Sequence, residues 1–229
     1  MSLNEADRAP PEASIIRRLV QQHSGASSTM PVMKREWIVR VHDVASVIIL
    51  DYLMLSAYHD FFAIVFIAAG LDQSWEWPPL FGQITKAYTM RRYWSLFWHR
   101  LIYRSFNAHA TATSSWLGIN QKTIFSSFFN NWLVFLLSGI MHGAVFWKLR
   151  APSAWSRNLK YWLLQPVAFM LERVVQHYWG KARSSLRVQH SVLAFFERIV
   201  GYIWVFAWLI WEAPGQNFST YNCNTNWHG

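Results

Sequence analysis

His142 lies within a mostly apolar stretch, Ile124 to Trp147, and shares one helical face with Asn131 and Ser138. Ionisable side chains are costly inside a membrane helix and mark functional sites when they occur. Two roles suit an imidazole there. With an ordinary pKa of about 6.5 it can take the proton of an attacking hydroxyl near neutral pH. Alternatively, a neutral ring hydrogen-bonds a neighbouring helix and acts as structural glue. Gly139 and Gly143 flank it at the small-xxx-small spacing that lets another helix, or an acyl chain, come close.

A second set of polar groups precedes that stretch, between Met90 and Arg104. Read as a helix, Trp94, Phe97, Trp98 and Leu101 form an apolar face, and Arg92, Ser95, His99 and Tyr103 form the other. This pattern predicts an amphipathic helix lying in the membrane interface. Arg91, Arg92, Arg100 and Arg104 suit either bidentate contacts to the phosphates of a nucleotide-bearing substrate or attraction to anionic headgroups. Asp51 and Glu172 read as structural partners of Arg or His rather than as reacting groups.

These residues must be positioned by apolar helices. The chain has 229 residues, of which 53% are hydrophobic and only 14% charged, with 15 Trp and 16 Phe. A soluble domain carries roughly 25% charged residues, so the solvent implied is lipid. Four runs predict an all-α, polytopic membrane protein: about Val44–Ala69 (one long helix or two short ones), Ile124–Trp147, Tyr161–Tyr178 and Val192–Trp211. Residues 1–43 read as a polar, disordered tail, 44–212 as the membrane domain and 213–229 as a polar C-terminal tail. Lys and Arg divide almost evenly between the two sides, so orientation is open, and Asn217-Phe218-Ser219 is a glycosylation sequon close to the last run.

Several chemistries are excluded. The net charge of +9 is distributed between apolar runs rather than on one face, which argues against nucleic acid and for the bilayer. Cys223 is the only cysteine, so no intrachain disulfide or CxxC metal site exists. No two of the nine histidines lie close enough in sequence for a di-iron histidine box or HExxH. GxSxG and GxGxxG are also absent.

Five motifs in order resemble one family: Trp77-Pro78-Pro79-Leu80-Phe81-Gly82, Tyr93-Trp94 with Trp98-His99, Ser138-Gly139-Ile140-Met141-His142, Gln165-Pro166 with Glu172, and Tyr202-Ile203-Trp204-Val205-Phe206. The chain is similar over residues 44–212 to membrane-bound O-acyltransferases of the wax-synthase-like branch, which includes fungal O-acetyltransferases of secondary metabolism. The resemblance implies transfer from an acyl-CoA, acetyl-CoA first, to the hydroxyl of a hydrophobic alcohol such as a terpenoid. No bound cofactor or metal is implied, and the setting is a multi-pass protein of the endoplasmic reticulum. It assigns His142 as general base and His99 as its partner, with Asn allowed at the position of His99. Asn131, Ser138 and Trp98 would line the substrate pocket, and Arg91, Arg92, Arg100 and Arg104 would hold coenzyme A. Members of the branch have further N-terminal helices, so an N-terminally shortened member is expected. A degenerate, non-catalytic relative and a wax ester synthase for long-chain alcohols are the alternatives.

Overall fold

Long apolar runs with few interior breakers become long helices here. The computed structural model describes residues 32–148, 152–184 and 190–216. Most of the N-terminal tail, the linkers at 149–151 and 185–189, the sequon at Asn217 and Cys223 lie outside the described residues.

Five long helices and one short irregular segment are formed among the described residues. α1 spans Val32–Ala68 as one continuous helix, which settles the first run as a single element. The segment between α1 and the next long helix holds two single turns, Ser74–Glu76 and Ile84–Lys86, and the short α2, Met90–Arg92. α3 follows at Tyr103–Trp116, α4 at Ile124–Lys148, α5 at Pro152–Arg183 and α6 at His190–Gln216. Among the described residues, three stretches are long and apolar enough to cross a membrane: Arg40–Ala68, Ile124–Val145 and Ser191–Glu212. The fourth expected run lies inside α5, which is less apolar because Lys160, Glu172, Arg173 and Lys181 interrupt it.

Helix ends and breaks have local causes. α1 stops at Gly70, whose φ of 70° only glycine adopts without strain. The amides of Gly70 and Leu71 then donate to the carbonyls of Ile67 and Phe66, each at 3.0 Å, closing the helix. Near the end of α6, Pro214 has no N–H to give the carbonyl of Ile210. Arg40 of α1 covers this gap: its Nη1 donates to the carbonyl of Trp211 at 2.9 Å and approaches that of Ile210 at 3.5 Å.

The helices pack in a row, α3 on α4, α4 on α5, α5 on α6 and α6 on α1. Gly139 and Gly143 serve the α4–α5 contact, because a Cβ there would meet Leu159 at 2.9 Å and the Trp155 ring at 2.5 Å. Another helix, not an acyl chain, therefore fills the room they leave.

The stretch from Met90 to Tyr103 differs from the interfacial helix that its pattern predicts. α2 widens into a π-helical turn over Tyr93–Phe97, closed by the Trp98 amide on the Tyr93 carbonyl at 2.8 Å, and the chain leaves it extended at Trp98. The buried set is not the face that the pattern names: Met90, Tyr93 and Phe97 are buried with Ala168 of α5 and Val205, Trp208 and Leu209 of α6, Trp94 and Trp98 pack against them half-buried, and Leu101 is exposed. The aromatic rings gain more by packing together than by floating on an interface.

Gly82 holds this turn from outside. Its amide donates to the Phe97 carbonyl at 2.9 Å, and a Cβ on it would lie 1.8 Å from the Leu96 carbonyl oxygen. Gly82→Ala should therefore lower stability by about 1–3 kcal/mol, the usual range for overpacking. Thermal unfolding in detergent measures this, and an unchanged Tm would refute the contact.

Candidate active site

The π-helical turn and α4 place the two histidines on one cavity. It has a volume of about 240 Å³ and is lined by His99, His142, Asn131, Ser138, Arg91 and Trp98, with Trp94, Phe135, Trp162 and Phe169 among its aromatic walls. The stripe Asn131, Ser138 and His142 thus faces the cavity as the helical spacing predicts. Trp98 lines it too.

His142 is fixed by its ring face. The imidazole stacks on Trp162 of α5, centroids 4.6 Å apart and planes at 12°. Trp162 in turn packs on Phe135 and Trp94. His99 packs edge-on against Phe81 and beside Trp98, and its Nδ1 is buried with no hydrogen-bond partner among the described residues. Burial lowers the pKa of His99 from its ordinary 6.5. The ring is accordingly neutral at pH 7.

Of the four arginines, Arg91 lines the cavity. Arg100 turns back on its own segment, its Nε and Nη2 donating to the Ser95 carbonyl at 3.1 and 2.7 Å. Arg92 donates to the Lys86 carbonyl at 3.0 Å and covers the Tyr88 ring at 4.4 Å. Arg104 is exposed on α3. The structure therefore brings together His142, His99, Asn131, Ser138, Trp98 and Arg91, and leaves Arg92, Arg100 and Arg104 outside the lining.

Buried polar groups hold the site in place. The Glu172 carboxylate of α5 accepts from the backbone amides of Met90 and Arg91, which begin α2, and from Trp204 Nε1 of α6 at 3.0 Å. Gln165 accepts from Trp94 Nε1 at 3.1 Å and donates to the Tyr161 carbonyl at 3.1 Å and to the Glu212 carboxylate. At the start of α4, Gln121 joins Ser114 of α3 to Ser126 and Asn130, so Asn130 is a structural group.

Sequence reasoning passes over Trp94 and Trp162 as wall residues. A Trp two turns of helix before Phe169, on the α5 face that carries Gln165, is the signal that points to Trp162. No group of three or more His, Cys, Asp or Glu able to hold a metal ion exists among the described residues.

Comparison with known proteins adds a family. Residues 77–171 match the Membrane bound O-acyl transferase family. Among similar curated proteins, Acetyltransferase ataH of Aspergillus terreus is 31% identical over 72% of this chain and 53% of its own length. Acetyltransferase aurG of Calcarisporium arbuscula is 30% identical over 73% of this chain and 40% of its own length. Acetyltransferase atnC of Arthrinium sp is 28% identical over 74% of this chain and 39% of its own length. The chain thus spans about half or less of these relatives. No solved structure matches it.

The geometry of His99 yields a direct test. Because burial disfavours the charged ring, its reaction with diethyl pyrocarbonate should follow a pH midpoint below 6.5. Peptide mapping by mass spectrometry reads this, and a midpoint at or above 6.5 would contradict the buried placement.

Proposed function

We propose, from the membership of residues 77–171 in the membrane bound O-acyl transferase family, that this chain carries the catalytic cavity of an acyl-CoA-dependent O-acyltransferase. The donor is acetyl-CoA, in line with relatives that bear the name acetyltransferase, and the acceptor is a hydrophobic alcohol. The observation that carries the reading is the meeting of His142 and His99 on one aromatic-walled cavity.

In the proposed reaction the acceptor hydroxyl attacks the thioester carbonyl while His142 takes its proton. The carbon–oxygen bond forms, the carbon–sulfur bond breaks, and the proton passes from His142 to the departing thiolate. His99, neutral and with an unpartnered nitrogen, donates a hydrogen bond to the oxygen that becomes negative. A neutral donor fits this role, because a second positive imidazole beside His142 would oppose protonation of the base. Arg91 at the cavity wall meets the phosphates of coenzyme A, for which a guanidinium is well shaped. Asn131 and Ser138 offer hydrogen bonds to the acceptor hydroxyl. The aromatic walls exclude water, which would otherwise compete as the nucleophile.

The test uses radiolabelled acetyl-CoA with farnesol and hexadecanol as probe alcohols, in membranes holding equal amounts of each variant. His142→Ala should lower turnover by roughly 10²–10⁴-fold, the usual worth of a positioned base. His142→Gln should be nearly as inactive, since an amide does not accept the proton at neutral pH. Full activity in His142→Gln would sink the assignment.

His99→Ala should also lose most of its activity, with the protein still inserted. His99→Asn should be milder, because an amide still donates a hydrogen bond. Equal damage by the two would mean that the imidazole itself carries a proton.

A further inference from the structure

A smaller compartment lies on the other side of His142. It has a volume of about 40 Å³ and is lined by Asp51 of α1, Tyr93 of the π-helical turn, Tyr161 of α5 and His142, with Val44, Ile48 and Leu209 as apolar neighbours. Trp94, Trp98 and Trp162 border both this compartment and the larger cavity, and form the partition between them. His142 is the one titratable residue common to the two linings.

The compartment gathers polar groups that the protein leaves unmatched. Asp51 has no hydrogen-bond or ion-pair partner among the described residues, although it is half-buried within a membrane-crossing stretch. Tyr93 and Tyr161 are buried, and both lie within electrostatic reach of Asp51. Burial first, then these neighbours, pushes the Tyr93 phenol well above its ordinary range, so it remains a hydroxyl donor. A carboxylate with no partner at this depth is expensive unless something solvates it. A water needs about 10–15 Å³ of such space and two to four polar partners, and the compartment provides both.

Resting on the function proposed above, we propose that this compartment holds a water that links Asp51 to the ring nitrogen of His142 turned away from the substrate cavity, with Tyr161 and Tyr93 as its further partners. Asp51 is thus a positioning residue. Through the water it holds one imidazole nitrogen as the N–H donor, and so presents the other as a free lone pair to the acceptor hydroxyl. No net proton moves to Asp51: the hydroxyl proton goes to the cavity-side nitrogen and returns to the thiolate. His99, Arg91 and Tyr103 share the lining of the substrate cavity with His142, and Asp51, Tyr93 and Tyr161 share that of the compartment behind.

The experiment reads the nucleophilicity of His142 without needing turnover. The full chain in detergent is treated with diethyl pyrocarbonate at pH 7, and the rate at His142 is taken relative to exposed His109 by mass spectrometry. Asp51→Asn should slow modification of His142 about tenfold, by analogy with the lower end of what losing the group that orients a metal-bound histidine costs, while His109 is unchanged. Asp51→Glu should restore much of the rate. Tyr161→Phe, which removes one partner of the water and keeps the ring, should slow it to a smaller extent. It also serves as the deciding variant if Asp51→Asn fails to fold. An unchanged His142 rate in Asp51→Asn, or in Tyr161→Phe where that variant decides, overturns the proposal. This outcome is separate from loss of the catalytic reading, which would show as full activity of His142→Gln with the effect of Asp51→Asn on the His142 rate still present.

Discussion

The carboxylate of Glu172 accepts from the two backbone amides that begin α2, just ahead of the π-helical turn, and the indole of Trp204 holds it from the opposite helix. This arrangement answers a constraint that governs the whole molecule. Backbone that is not regular helix leaves amides and carbonyls unpaired, and near lipid there is no water to take them. The irregular stretch between α1 and α3 therefore has to be satisfied by side chains and by itself. Glu172 takes its amides, Gly82 takes the carbonyl of Phe97, and Arg100 and Arg92 take those of Ser95 and Lys86. With these groups paired, the chain turns abruptly at Trp98 and presents His99 to the cavity. A regular helix would have carried His99 on round its own axis.

The second constraint is aromatic packing. Trp94, Trp98, Phe135, Trp162 and Phe169 are too large and too flat to fill the space around the π-helical turn, and they meet edge to face more often than they stack. Voids remain on both sides of this layer. The His142–Trp162 stack is nearly parallel, so the imidazole lies flat on the indole and its plane is restrained. For the base proposed at His142, a restrained ring plane favours meeting a hydroxyl at hydrogen-bond distance.

Much of this was legible in the residues. Apolar run lengths foretell the helices, and the seven- and four-residue steps from Asn131 to His142 foretell one cavity-facing stripe, because helical periodicity alone sets it. The stretch from Met90 to Tyr103 misled for a physical reason. Alternating Arg and Trp look the same whether the aromatic face meets lipid headgroups or a protein core. The difference rests on Glu172 and Gly82, which are 82 and 15 residues away from Met90 and Phe97. The two glycines beside His142 carried a similar ambiguity. Their small size was legible, and the tryptophan and leucine that occupy the space were not, since nothing in local spacing names the facing helix.

Asp51 illustrates the remaining limit and what removes it. Within α1 it is a single acid among apolar neighbours, and its sequence context fits an ion pair as well as any other role. Its surroundings depend on α1 lying against α6, a contact that Arg40 supports by covering the carbonyls freed near Pro214. This docking brings Asp51 to Tyr93 and Tyr161, which come from two other elements. A buried carboxylate with a cation beside it would be a structural pair, and its charge would be spent there. Here two tyrosines and His142 line the same compartment as Asp51, and among the described residues no cation does. The helix most remote in sequence from His142 therefore supplies a wall of the compartment that His142 also lines.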